Sequence, residues 1–159
     1  MSDHVDFVIA QWAEAMPDLD ASSMAVFGRM LRIMKHLGKA RASALEEFGF
    51  REGEFDVLAT LRRAGSPFCL TPTQLFTSLL VTSGAMTNRL NRLEANQLIE
   101  RIPDPADKRS LMVGLTPKGL ELIERALVVH TQTQANLLQG LNKTQQVELE
   151  NLLRLVLAE

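Results

Sequence analysis

Apolar side chains recur every three to four residues over much of the chain, the spacing that places them on one face of a helix. The pattern predicts a short helix at about residues 4–16 and a long one at about residues 22–47. A third helix is predicted at about residues 53–64, where Gly65 follows at a C-cap position. The first third of the chain is therefore expected to be helical.

Two short helices with clear start signals follow. Thr71 and Pro72 combine an N-cap with a first-turn proline, which predicts a helix over about residues 71–79. A second helix is predicted over about residues 82–96, with Leu90 and Leu93 on its inward apolar side. Because only about three residues separate the two helices, the pair is typical of a helix-turn-helix.

The outward face of the second short helix carries small, amide and hydroxyl side chains and one guanidinium. No acidic residue interrupts this face before Glu94. Such side chains approach base edges and phosphates without bringing a repelling charge. The predicted DNA contacts on this helix are Ser83, Gly84, Thr87, Asn88, Asn91 and Arg92.

Two strand-like segments come next, at residues 98–102 and 111–115, and a polar, proline-containing loop joins them. A hairpin directly after a helix-turn-helix is typical of a wing. Lys108 and Arg109 lie at its tip, where an arginine can enter a narrow minor groove, and Asp107 is placed to hold that guanidinium. Lys108 and Arg109 therefore join the predicted DNA contacts.

The last part of the chain is helical again. Thr116 and Pro117 repeat the cap-plus-proline signal and predict a helix to about Gln139, and Asn142 caps a final helix. The terminal helices carry more apolar surface than a small winged lobe can cover. Because large apolar faces rarely stay exposed, we expect them to pack against a second copy of the chain.

The composition is that of an ordinary globular protein. Hydrophobic residues make up 46% and charged residues 23% of the 159 residues, which excludes disordered and collagen-like classes. The single Cys69 lies in an apolar loop and can form no internal disulfide, so we expect a packing role for it and a cytoplasmic protein. No apolar run approaches the roughly 20 residues of a membrane helix, and the acidic N-terminus does not resemble a signal peptide.

The net charge of −2 argues weakly against a nucleic-acid partner, but the distribution of charge does not. Residues 60–120 hold eight basic and four acidic side chains, and residues 28–45 hold five basic side chains and no acidic one. Local basic segments suit phosphate binding, although a charged run is more often a solvated face. The 28–45 stretch is open to either interpretation.

Neither an enzyme nor a metalloprotein is indicated. His4, His36 and His130 are far apart and lack partner ligands at metal-binding spacing. The chain shows no Gly-rich phosphate loop, nucleophile elbow or catalytic carboxylate motif. We therefore expect no catalytic residue, no metal and no cofactor.

The order of these elements, together with two motifs, resembles the MarR family of bacterial transcriptional regulators. The motifs are residues 83–90 in the second short helix and residues 104–116 in the wing. The resemblance implies a mainly α fold with a small β-hairpin wing, built as one domain over residues 1–159. That domain has a winged helix-turn-helix lobe at residues 50–116. Its N- and C-terminal helices, at residues 1–48 and 117–159, form a dimerisation platform.

The same resemblance implies how the protein works. A homodimer would repress transcription from a palindromic operator in double-stranded DNA and leave it when a small molecule binds. Two-fold symmetry would place the half-site centres about one helical turn, roughly 34–36 Å, apart. A winged-helix module that binds a protein instead of DNA is the alternative from another class.

A narrower resemblance concerns the effector. Residues 11–20 and 55–63 are similar to the urate-responsive (PecS-like) subgroup, which has an extra N-terminal helix. The resemblance implies a ligand site formed by Trp12, Asp56, Arg89 and Arg101. An indole, a carboxylate and guanidinium groups suit a flat, amide-rich anion such as urate or a related purine. Phenolic or aromatic carboxylate ligands are the runner-up.

Overall fold

The protein is described here by a computed structural model. The structure describes residues 2–51, 53–79, 86–105, 107 and 110–157. The chain divides into two compact units. We call Met1–Ser43 with Asn136–Glu159 the helical unit and Ala44–Ala135 the winged unit.

Most of the described chain is helical, and the helices lie where the apolar spacing predicts them. In chain order the elements are α1 (His4–Ala15), α2 (Ser22–Leu45), a 3-10 turn (Glu46–Phe48), α3 (Glu54–Arg63), β1 (Cys69–Leu70), α4 (Pro72–Ser78), α5 (Met86–Ala95), β2 (Ile99–Pro103), β3 (Leu111–Leu115), α6 (Pro117–Leu137) and α7 (Lys143–Leu157). The predicted start of α5, at residues 82–83, lies outside the described residues.

Side-chain caps fix where several helices begin. The Thr71 hydroxyl accepts the Gln74 N–H at 3.2 Å, and the Gln74 side chain accepts the Thr71 N–H at 2.9 Å, with Pro72 in the first turn of α4. Asn142 and Gln145 make the same reciprocal pair at the start of α7. Each pair satisfies two backbone N–H groups that a helix start leaves without an intrahelical partner. The predicted caps at Thr71 and Asn142 are confirmed.

The wing is part of a three-stranded antiparallel sheet with the order β1-β3-β2. The predicted hairpin is confirmed, with Ile99 of β2 opposite Leu115 of β3. The third strand, β1, places Cys69 opposite Gly114, whereas an apolar loop was expected at this cysteine. A strand of two residues is too short to show an alternation of polar and apolar side chains, so no local pattern indicates it.

One hydrophobic core holds the winged unit together. Leu90 and Leu93 of α5 are buried in it, as predicted, so the opposite side of α5 faces outward. The largest fully buried side chains are Val57, Leu58, Leu61, Leu75, Leu93, Ile99, Val113 and Ile123. Ile123 of α6 is part of this core, and residues 117–135 of α6 belong to the winged unit. The assignment of residues 117–159 to dimerisation stays a prediction.

The start of α6 lies directly on the turn after α5. Thr116 donates its N–H to Leu98 O at 3.2 Å and its hydroxyl to Gln97 O at 2.7 Å. A Cβ built on Gly119 would lie 1.9 Å from Leu98 O, so only glycine permits this approach. The close contact joins the end of α5 to the start of α6.

The helical unit leaves many apolar side chains exposed. Within it, Arg29 of α2 binds Asp3 at the N-cap of α1 and Asp6 in its first turn, and Val5 packs on Gly28. The exposed large apolar residues of α1, α2 and α7 include Phe7, Met24, Phe27, Leu31, Met34, Leu152, Leu155, Val156 and Leu157. None of the described helices has the length and apolar content needed to cross a bilayer.

Candidate functional site

The outward face of α5 is polar and exposed. Thr87, Asn88 and Asn91 lie on it, while Leu90 and Leu93 of the same helix are buried. This division follows from the 3.6-residue period, which places residues 90 and 93 on one side and residues 87, 88 and 91 on the other. Three side chains with hydrogen-bonding groups and no charge therefore stand at the surface of the winged unit.

One flank of α5 is bound to the start of α3 through Glu54. The Glu54 side chain is only 5% exposed, and its Oε1 accepts from Arg92 Nε at 3.0 Å and from Nη2 at 2.7 Å. Its Oε2 accepts the Arg51 N–H at 2.7 Å. Both carboxylate oxygens thus have donors, which is what a buried charge requires.

Arg89 lies on the same flank, one turn before Arg92. A Cβ built on Gly53 would be 2.3 Å from Arg89 Cζ and 2.5 Å from Nε, so this guanidinium rests against the bare backbone of Gly53. Gly53 also has φ +74°, a conformation that favours glycine. The start of α3, with Gly53 at its N-cap and Glu54 in its first turn, therefore contacts two arginines of α5.

The other flank of α5 is bound to the wing. Arg101 of β2 forms an ion pair with Glu94, and its Nη2 donates to Asn91 Oδ1 at 2.7 Å. Both partners belong to α5. Arg101, a predicted ligand residue, thus joins the wing strand to the outward helix in this structure.

A cavity of about 530 Å³ opens beside α3 and α6 in the winged unit. Its apolar walls come from Phe55, Ala59, Leu79 and Leu127, and Asp56 lies among them. The other polar lining residues are Thr60, Arg62, Arg63, Glu124 and His130. The volume lies within the range of small-molecule pockets, and the lining combines apolar walls with a few charged groups.

The charged groups of the cavity are held by neighbours. Arg62 donates to Glu124 Oε1 at 2.7 Å and lies over the Phe68 ring at 5.0 Å from its centre. Arg63 donates to Ser78 O at 2.6 Å, at the end of α4. The His130 ring packs on Phe55 at 4.8 Å between centres. The walls are therefore fixed by contacts among α3, α4 and α6.

The predicted ligand residues do not all meet in this cavity. Asp56 lines it, whereas Arg89 lies against Gly53 and Arg101 binds Asn91 and Glu94. Trp12 belongs to the helical unit.

Four of the predicted DNA contacts lie outside the described residues. These are Ser83, Gly84, Lys108 and Arg109. The predicted contact between Asp107 and Arg109 lies outside them for the same reason, but Asp107 does accept the Ser110 hydroxyl at 2.8 Å. The described predicted contacts are Thr87, Asn88, Asn91 and Arg92, all on α5.

Sequence reasoning missed Glu54. Its one local signal is a carboxylate in the first turn of a helix, followed by the apolar residues that make up the core face of α3. First-turn acids are common because they favour the helix N-terminus, so this signal does not single out a buried pair.

Over the described residues, no group of His, Cys, Asp or Glu is arranged to hold a metal ion.

Comparison with protein families matches the segment that carries the outward helix and the first wing strand, β2. The family model described as "MarR family" matches residues 50–111, which span most of the winged unit. The transcriptional regulator PecS of Dickeya dadantii is 32% identical over 149 residues, which cover 94% of this chain and 90% of that protein. The multiple antibiotic resistance protein MarR of Escherichia coli is 36% identical over 105 residues, 65% of this chain and 71% of that protein.

Solved structures give the same result for the fold. A variant of Escherichia coli MarR complexed with operator DNA has a TM-score of 0.70 and 28% identity, covering 98% of this chain and 99% of that one. Bordetella bronchiseptica BpsR, whose DNA binding is regulated by 6-hydroxynicotinic acid, has a TM-score of 0.70 and 25% identity. The match covers 83% of this chain and 93% of that one. The curated relatives are transcriptional regulators and not enzymes, as predicted, and the mainly helical winged fold is confirmed. This chain, too, belongs to the MarR family.

Proposed function

We propose that the protein is a homodimeric repressor that binds a palindromic operator through α5 and the wing and leaves it when a small aromatic anion binds. DNA binding is supported mainly by the exposed face of Thr87, Asn88 and Asn91. The fold that presents this face is similar, over nearly the whole chain, to Escherichia coli MarR in its complex with operator DNA. Amide and hydroxyl groups on a helix recognise base edges in the major groove. We call α5 the recognition helix from here on.

The remaining proposed DNA contacts supply charge and reach. In the sequence, Lys108 and Arg109 come between β2 and β3, and Ser83 and Gly84 come before Met86, where α5 begins. Cations at a wing tip suit phosphates and a narrow minor groove. A palindromic operator follows from two-fold symmetry, because each copy then presents one recognition helix to one half-site.

The proposed effector is a flat anion of the urate class. In its favour stand the similarity to PecS and the position of Asp56 in a cavity with apolar walls and two arginines. Trp12, Arg89 and Arg101 remain the other proposed ligand residues. An aromatic carboxylate is the second candidate, because 6-hydroxynicotinic acid regulates the DNA binding of the related BpsR.

One binding assay tests both parts of the proposal. The protein first selects duplexes from a random pool, and fluorescence anisotropy then measures the affinity for a selected duplex. We expect selection of a palindrome and a tenfold or greater loss for Asn88→Ala, about the cost of one base mismatch. Urate added to the complex should release the DNA, and Asp56→Asn should weaken that release while leaving DNA binding unchanged.

Controls separate the possible outcomes. Asp18→Asn removes an exposed carboxylate outside the cavity and should respond to urate like the wild type. Release by 6-hydroxynicotinate alone would replace urate with the second candidate. Failure to select any sequence would contradict DNA recognition and favour the protein-binding alternative.

A further inference from the structure

We propose that Glu54 and Arg92 are positioning residues for DNA binding, whose ion pair fixes how the recognition helix is turned on the winged unit. In this role Arg92 acts through Glu54 and is not a phosphate contact. The inference rests on the proposed function, since it assigns a role in presenting the recognition helix to DNA.

The burial of Glu54 sets it apart from the other acids. Among the charged residues that the structure describes, Glu54 is the one that is buried, with 4% of its surface exposed. A carboxylate is removed from water at a high free-energy cost and stays charged only with close donors. Arg92 supplies two of those donors from a different helix, so the pair binds α5 to α3 at one defined point.

The pair acts on one side of a helix that is held on both sides. Arg92 and Arg89 contact the N-terminal end of α3. On the other flank, Asn91 and Glu94 bind Arg101 of the wing strand. Residues 89 and 92 are one turn apart and lie on the same flank. The recognition helix is bound along two flanks and packs on the core through its buried leucines. It therefore has little freedom to rotate about its axis.

The pair also lies next to the cavity along the chain. Glu54 is followed directly by Phe55 and Asp56, which line it. A change in the first turn of α3 therefore reaches the recognition helix through Glu54 and Arg92. Because Glu54 and Arg92 lie between the cavity and the recognition helix, they are better placed to orient this helix than to contact a phosphate.

The direction of the effect distinguishes positioning from simple electrostatics. Removal of an acid near a DNA-binding surface normally strengthens binding to the polyanion, because phosphate repulsion is reduced. Loss of Glu54 charge is expected to weaken binding to the selected duplex instead. Arg92→Lys keeps the positive charge but cannot reproduce the two-donor contact of the guanidinium.

The experiment measures the affinity for the selected duplex and for a random duplex over a range of salt concentrations. We expect Glu54→Gln and Arg92→Lys each to bind the selected duplex about tenfold more weakly or worse, the equivalent of a lost base contact. Binding to the random duplex should not fall, and the salt slope should stay unchanged. The double variant should lose no more than either single variant, because both break one interaction.

The control is Glu100→Gln, an exposed acid on β2 with the same change in charge. It should bind both duplexes as tightly as the wild type or more tightly. Wild-type affinity in Arg92→Lys would overturn the inference. The inference would also be overturned if Arg92→Gln bound both duplexes equally more weakly and the slope of its affinity against salt fell by about one. That result would identify Arg92 as a phosphate contact.

Folding and function are checked separately. Circular dichroism and Tm are measured for each variant, and Arg92→Lys decides alone if Glu54→Gln does not fold, because Arg92 is partly exposed. A wild-type protein that selects no sequence contradicts the proposed function. A wild-type protein that selects DNA while both variants bind normally contradicts only the positioning role of the pair.

Discussion

Asp3 serves two helices at once. Its Oδ1 accepts the N–H groups of Val5 and Asp6 at 2.7 and 3.1 Å at the start of α1, and its Oδ2 accepts from Arg29 of α2 at 2.9 Å. Asp6 accepts the Asp3 N–H at 2.7 Å and also binds Arg29. These donors, the backbone N–H groups first and Arg29 next, hold the pKa of both carboxyl groups below the ordinary 3.8.

This arrangement predicts a loss of α1 structure in acid. A carboxyl group with a lowered pKa in the folded state stabilises it above its unfolded pKa, and the contribution is lost as pH falls through the folded value. We therefore expect the packing of α1 on α2 to weaken below about pH 4. The emission of Trp12, the single tryptophan, reports on α1 directly.

The matched variant for this prediction is Asp3→Asn combined with Asp6→Asn. Without the two carboxyl groups, the change in Trp12 emission on acidification below about pH 4 should largely disappear, with α1 already loosened above that pH. An unchanged acid transition in the variant would contradict the role of these groups.

At the scale of elements, the contact between α6 and the turn after α5 gives a prediction about stability. In Gly119→Ala the new Cβ would lie 1.9 Å from Leu98 O, which belongs to the backbone and cannot move aside alone. We expect a loss of about 3 kcal/mol in the free energy of unfolding. The corresponding fall in Tm is about 10 °C for a chain of this size.

Gly140→Ala is the control, because its new Cβ would meet nothing within 4 Å. Its free energy of unfolding should stay within about 0.5 kcal/mol of the wild type, as for most surface substitutions. Thermal unfolding of both variants, followed by circular dichroism, makes the comparison. Equal stability of the two variants would contradict the close approach.

Local signals were sufficient for the long elements. The spacing of Leu90 and Leu93 and the caps at Thr71 and Asn142 act within a few residues of each other, so the sequence contains them directly. β1 could not be predicted in this way, because its pairing of Cys69 with Gly114 joins segments far apart in the chain and leaves no local pattern.

The candidate site was predictable to a similar degree. The outward residues of α5 follow from its period, whereas the pair of Glu54 and Arg92 depends on how α3 and α5 pack. Arg101 shows the same limit, since its partners Asn91 and Glu94 become neighbours only when β2 lies beside α5. Side-chain chemistry indicates that an arginine needs a partner, but the fold decides which one.

For the whole molecule, the exposed apolar residues of the helical unit predict self-association. Leu155 and Leu157 of α7 are 73% and 78% exposed, and α1 and α2 add further apolar surface. Faces of this kind mark protein interfaces, and the proposed occupant is a second copy of this chain. Sedimentation should give twice the chain mass of 17.7 kDa, with a Tm that rises with protein concentration.

Leu152→Lys tests this assembly, because a buried lysine without a partner opposes association. We expect a shift toward monomer and weaker binding to a two-half-site duplex. Thr144→Lys, which adds the same charge at an exposed polar position of α7, should stay dimeric. A wild-type protein that sediments as a monomer at micromolar concentration would contradict the assembly.

The hydrogen bond from Arg101 to Asn91 limits what the recognition helix can recognise. An amide normally offers both an acceptor oxygen and a donor nitrogen, but Arg101 already occupies Asn91 Oδ1. Arg101 takes one of the two lone pairs of this oxygen and holds the amide in one orientation. Under the proposed function, the N–H groups are then the main hydrogen-bonding groups that Asn91 offers to the groove. Donors select acceptor atoms such as guanine O6 and N7 or thymine O4. A wing residue thus narrows the base preference at this position without touching a base.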